Sequence, residues 1–108
     1  MVNVTFTETG KILSLRIEGH AGYADAGNDI ICASCAILAY TVAQFVMEAE
    51  NKGDLVSPPQ IDLESGNATI SCEPTEAVLC RMRDMYAFAK LGYTILEHNH
   101  PQYVRLMP

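Results

Sequence analysis

Two side chains in this sequence are spaced for nucleophilic chemistry, His20 and Cys32. A thiol nucleophile needs a base to take its proton and hydrogen-bond donors for the developing oxyanion. The segment GHAGYADAGNDIICASC, from Gly19 to Cys35, holds candidates for each role. His20 stands just past a strand-like run. Gly19, Gly22 and Gly27 lie among small residues in a loop able to fold back. Asp29 or Asn28 is a suitable N-cap for the apolar helical run that follows. Cys32 falls in the first turn of that helix, near the positive end of its dipole, which favours thiolate over thiol. The N–H groups of the helix start are the expected oxyanion donors. On spacing alone, a buried small hydrophobe and a surface histidine would fit the same pair.

Other constellations are weaker. Cys32-Ala33-Ser34-Cys35 is a C-x-x-C at a helix start, a redox motif in other settings. The thioredoxin-type version directly follows a strand in a βαβ pattern, which is absent here. Cys35 points roughly 300° from Cys32 by the 3.6-residue repeat and reads as a core residue. Cys32, Cys35, Cys72 and Cys80 number four, yet the spacing of the last two is no usual zinc knuckle, so no metal is expected. His98 and His100 flank Asn99 near a helix end and suit capping or surface roles. The tyrosines read as core or rim, except Tyr23, which lies in the loop between His20 and Cys32 and is placed to contact a substrate.

The positioning elements follow from periodicity. Val2–Thr7 and Ile12–Glu18 alternate apolar and polar residues around Gly10, predicting an antiparallel hairpin. Ile30–Glu50 predicts a largely buried helix, with Ile30, Ile31, Ala33, Ile37, Leu38, Thr41, Phe45 and Met47 forming its apolar stripe and Asn51-Lys52-Gly53 its stop. Gln60–Glu64 and Ala68–Cys72 predict a second hairpin about Ser65-Gly66-Asn67. A second helix starts at Pro74-Thr75-Glu76, with Thr75 as cap, and carries Leu79, Met82, Tyr86, Ala89, Tyr93 and Leu96 inward to about His98. Tyr103–Leu106 supplies a last short strand. The order β-β-α-β-β-α-β makes a small α+β two-layer sandwich, a mixed or antiparallel sheet packed on two helices.

The 108 residues allow one core and one domain, spanning 1–108. With 49% hydrophobic and 19% charged residues the chain is globular rather than disordered. Its formal net charge of −6 argues against nonspecific nucleic-acid or anionic-membrane binding and suits a basic partner. Asp, Glu, Lys or Gly is expected to interrupt each apolar run before the roughly 18 residues of a membrane span. The start, MVNVTFTETGK, lacks a basic region followed by an apolar stretch. A cytoplasmic protein with free thiols is the expectation.

Gly19-His20-Ala21 and Gly27-Asn28-Asp29-Ile30-Ile31-Cys32-Ala33 resemble the hallmark segment of the ribosomal-processing cysteine protease family, a G-H-A start and a G-x-D-I-V-C-A helix start. Ile31 stands for the family's valine. The order of elements looks similar over essentially the whole chain. The resemblance implies a cysteine endopeptidase with Cys32 as nucleophile and His20 as base. It implies a substrate too: the precursor of a large-subunit ribosomal protein, whose short N-terminal extension is removed during ribosome assembly. It also implies a homodimer, no cofactor, and a mobile loop, here Ala21–Asn28, over the site. Asp29 matches the acidic position and is assigned to capping and loop positioning. Family members often carry a serine four residues after the nucleophile, where this chain has Ala36. A non-catalytic module of the same fold that escorts a ribosomal protein is the alternative.

Overall fold

The computed structural model describes residues 1–24 and 29–108. Strand β1 (Val2–Thr9) pairs antiparallel with β2 (Ile12–Glu18), Thr9 opposite Ile12. Gly10 takes φ +62 in the two-residue turn between them, the left-handed geometry that matches strand twist. Helix α1 (Ile30–Asn51) follows, then a second hairpin of β3 (Gln60–Glu64) and β4 (Asn67–Cys72), then a single 3-10 turn (Glu76–Val78), α2 (Leu79–Asn99) and β5 (Val104–Leu106). The sheet order is β3-β4-β2-β1-β5, antiparallel throughout except where β5 runs parallel to β1. Both helices pack on one face, α1 over β4 and α2 over β1, β2 and β5. This is the expected α+β sandwich with a mixed sheet.

The inward positions of the sheet agree with the alternation. Val2, Val4, Leu13, Leu15, Ile17, Ile70 and Cys72 are buried, facing Met82, Tyr86, Ala89 and Tyr93 of α2. Phe6 lies edge-on to the rings of Tyr86 and Tyr93, at 6.4 and 5.9 Å between centroids. The outer face carries Thr5, Arg16, Glu18, Asp62 and Thr69.

Helix α1 departs from expectation in its orientation. Its buried stripe is Ile31, Cys35, Ala39, Val42, Ala43, Val46 and Ala49, while Ile30 and Ile37 are each 61% exposed. A helix apolar on nearly every side offers no period to choose a face. The choice falls to size, because alanines and a cysteine let the helix backbone come close to the sheet. The sequence Ile30–Met47 holds no charged residue and no glycine, so α1 is long and apolar enough to cross a membrane by length and composition. The expected interruption arrives only at Glu48.

Two further details depart from the sequence reading. The second helix begins at Leu79, after the 3-10 turn, and the Thr75 side chain makes no capping hydrogen bond. The backbone closes that turn instead: Val78 N–H donates to the Thr75 carbonyl, and Thr75 N–H to that of Asp54. Gly92, costly inside a helix, is explained by packing. A β-carbon there would stand 2.8 Å from Leu38 Cδ2, so α2 meets α1 at that point.

Candidate active site

His20 is fixed by backbone on both sides. Gly19 takes φ +94 and lies against the Met1 carbonyl, where any side chain would collide. Its N–H donates to the Gly66 carbonyl at 2.8 Å, tying the end of β2 to the β3–β4 turn. The imidazole itself rests on Gly66: a β-carbon there would lie 2.5 Å from His20 Nε2. Gly66, at φ +76, is thus required both for the turn and for the ring above it. The amino group of Met1 donates to the His20 carbonyl.

After His20 the chain folds back over the start of α1. Ala21 is buried, and its N–H donates to Cys32 Sγ at 3.2 Å. Asp29 is the N-cap: Oδ1 accepts from Ile31 N–H at 3.0 Å and Cys32 N–H at 2.9 Å, and Oδ2 from Tyr23 N–H at 3.1 Å. The Cys32 N–H above all, with those of Tyr23 and Ala24, holds the Asp29 carboxyl below its ordinary range, against a smaller opposing effect of desolvation. One carboxylate therefore clamps the loop to the helix start.

That arrangement corrects the expected oxyanion site. The Ile31 and Cys32 N–H groups are taken by Asp29, and Ala33 N–H donates to the Asp29 carbonyl at 3.0 Å. Helix-start donors already held by a cap are not free for a substrate oxygen. Ala21 N–H, by contrast, is directed at the Cys32 sulfur.

His20 and Cys32 line one cleft of about 240 Å³. Ala36, Ala39 and Tyr40 of α1 form one wall, and Leu63 with the turn Glu64–Asn67 the other. Val2, Ile17 and Ala68 contribute apolar surface. Sequence reasoning missed the turn as part of the site, because it contributes backbone atoms and an absence of side chain, which no residue pattern signals as chemistry. Cys35 is core, as expected, at 4% exposure, but it also lines the cleft. A step of 300° is 60° in the other direction, so Cys32 and Cys35 share one side of α1. Burial, then the charges of Cys32 and Asp29, push the Cys35 thiol up to about 11. Tyr93 anchors this turn from below, its hydroxyl donating to the Cys35 carbonyl at 2.9 Å.

The remaining predicted residues separate. Ser34 spends its hydroxyl on the Ile30 carbonyl. Gly22 takes φ +69, and no atom of the described residues lies within 4 Å of where a β-carbon would stand. Gly27 lies outside the described residues. Tyr23 is not among the described residues lining the cleft; its ring packs edge-on against Tyr103, 5.3 Å away, and His100, 6.4 Å away.

The sequence profile of the cysteine protease Prp family matches residues 1–105. The chain belongs to that family. Solved structures share the fold over nearly the whole chain. The essential ribosomal processing protease Prp of S. aureus, in complex with a covalently linked product peptide, superposes with a TM-score of 0.72 at 16% identity, over 98% of this chain and 97% of that one. The same protease with a substrate peptide gives 0.68 at 15% identity, over 99% and 98%. SMU.848 of Streptococcus mutans gives 0.65 at 25% identity, over 98% and 91%. No curated protein matches the sequence. Membership of the Prp family makes a protease the activity this cleft has to account for.

Proposed function

We propose that this Prp family member is a cysteine endopeptidase that removes the short N-terminal extension of a large-subunit ribosomal protein during ribosome assembly. The observation that carries the mechanism is the shared cleft of His20 and Cys32, with the Ala21 N–H on the sulfur. The ribosomal substrate rests on the family and on the S. aureus protease, described as ribosomal processing and bound to peptides.

The reaction is an acyl transfer in two halves. His20 takes the Cys32 proton, and the sulfur attacks the scissile carbonyl to form a tetrahedral adduct. His20 then returns the proton to the leaving amine, which departs as the new N-terminus of the ribosomal protein, while the extension stays on Cys32 as a thioester. Water, deprotonated by His20, hydrolyses that thioester and restores the thiol. Ala21 N–H passes from the sulfur to the oxyanion as charge moves from the sulfur, across the carbonyl carbon, to the oxygen. The apolar walls Ala36, Ala39, Leu63 and Ala68 receive the peptide and exclude water.

The enzyme works in the cytoplasm as a homodimer, without a cofactor and without binding nucleic acid or membrane. The α1/α2 groove suits the dimer contact: Phe88, Leu91 and Ile95 of α2 form one stripe, 71%, 58% and 60% exposed, beside Leu38, Thr41 and Phe45. Such a face suits a second copy of itself, while a net charge of −6 disfavours an anionic lipid surface.

Ala36 favours a second reading. It lines the cleft at the position of the family's serine, so a non-catalytic module that escorts a ribosomal protein is the competitor. Incubating the extended ribosomal protein from the same organism with this protein separates the two. Release of the extension at one bond, read by mass and N-terminal sequencing, supports the protease. Tight binding with no cut would replace it with the escort.

A further inference from the structure

We propose that Cys32 and Cys35 form a reversible disulfide that protects and silences the site when hydroperoxide is present. The disulfide itself does not depend on the protease reading; only its consequence for activity rests on it.

The geometry comes from α1. Residues three apart on a helix lie on one side of it, with Cα atoms about 5 Å apart. Disulfides span roughly 4.4–6.8 Å between Cα atoms and about 3.5–4.5 Å between Cβ atoms. The Cα spacing fits. The Cβ atoms, about 5–6 Å apart on a regular helix, meet through a local shift of the first turn of α1. Both cysteines line the same cleft, so neither side chain has to cross the helix to meet the other. Cys72 lies on β4 and Cys80 is exposed on α2, and neither lines this cleft. No helix geometry links them to Cys32.

The two thiols divide the work by exposure. Cys32 is half-buried, opens on the cleft and has a backbone N–H directed at its sulfur. A small hydroperoxide meets this sulfur first. Cys35 is 4% exposed, and burial raises its thiol to about 11. It therefore stays protonated and shielded from the oxidant until a sulfenic acid forms beside it. The tyrosine below, Tyr93, holds the Cys35 carbonyl and keeps this turn in place.

The chemistry balances in two steps. The Cys32 thiolate attacks the peroxide, its sulfur gaining the terminal oxygen; with one proton the products are Cys32 sulfenic acid and an alcohol, or water from hydrogen peroxide. The Cys35 sulfur then attacks the sulfenic sulfur, the S–S bond forms, and the hydroxyl leaves with the Cys35 proton as water. One peroxide is reduced and two thiols are oxidised. A dithiol reductant reverses it by thiol–disulfide exchange. Without Cys35, the sulfenic acid goes on to sulfinic acid, which simple thiols do not reverse.

The test uses the full chain, a few equivalents of hydrogen peroxide, alkylation of remaining thiols and mass analysis of intact protein and fragments. The expected product has lost about 2 Da within the fragment containing Cys32 and Cys35, and dithiothreitol restores it. Cys35→Ala and Cys35→Ser, both checked for folding by their melting curves, instead gain about 32 Da at Cys32 irreversibly. Wild-type protein that gains oxygen at Cys32 without a disulfide would overturn the proposal, as would a disulfide mapping to Cys72 or Cys80. These masses are read whether or not the protein cuts any substrate, so an inactive protease with an intact disulfide refutes the protease alone. If the protein is active, cleavage falls and recovers together with the disulfide.

Discussion

The Ala21 N–H donates to the Cys32 sulfur at 3.2 Å, joining the residue beside the histidine to the first turn of α1. His20 and Cys32 line one cleft although they stand twelve positions apart in the chain. Three devices hold that closure in place: Gly19 against Met1, Gly66 under the imidazole, and Asp29 gathering N–H groups from loop and helix. The last two each make a separate prediction.

Gly66→Ala should disable the histidine while leaving the fold intact. The added methyl would stand 2.5 Å from Nε2, so the imidazole must move. The positive φ itself costs about 1–2 kcal/mol for any L-residue. Gly10→Ala carries the same kind of backbone strain, at φ +62, with nothing within 4 Å of the new atom. Both variants should melt lower by similar amounts, but only Gly66→Ala should lose kcat/KM, by tenfold or more as a rough guide from misplaced catalytic groups. Equal activity in the two would show that Gly66 serves only the turn.

Asp29→Ala removes an acceptor from three backbone donors at once. The melting temperature should fall by a few degrees, and kcat/KM should fall with it because Tyr23 and the loop are released. The pH dependence has a fixed sign. The folded carboxyl titrates below its ordinary range, so its stabilisation is fully present above the ordinary carboxylate pKa and is lost as pH falls through the depressed one. The gap in melting temperature between wild type and Asp29→Ala should therefore be wide at neutral pH and narrow in acid. A gap that widens in acid contradicts the cap.

Phe88→Glu tests the proposed dimer face. At 71% exposure the side chain contributes little to the folded monomer, so the variant should keep its melting temperature in dilute solution. Two like charges meeting across a two-fold contact should split the dimer. Sedimentation should give twice the chain mass for wild type and the chain mass for the variant. A monomeric wild type would remove the dimer from the account.

Much of the fold was legible because alternation and helical period were clean in β1, β2, β4 and α2. Ile12–Glu18 and Gln60–Glu64 have the bounds the residues indicated. Helix α1 was legible as a helix but not in its facing, since apolar residues surround it and the small ones select the contact. At the site, spacing alone left His20 and Cys32 open to a bland reading, and the family resemblance singled them out. The capping Asp29 could be read from residue type and position. The use of that cap could not, because Asp29 takes the very N–H groups that spacing assigned to a substrate oxygen. Nor could Gly66, whose contribution is room for another residue's ring. Cys35 was visible as a C-x-x-C partner but was set apart by an angle counted the long way round.

The most direct test of the dyad is cleavage of the extended ribosomal protein by wild type, Cys32→Ala and His20→Ala under single-turnover conditions. The account predicts one cut by wild type, none by Cys32→Ala, and a rate for His20→Ala lower by roughly 10²–10⁴, the range for loss of a general base. A Cys32→Ala protein that still cuts at the wild-type rate would contradict it.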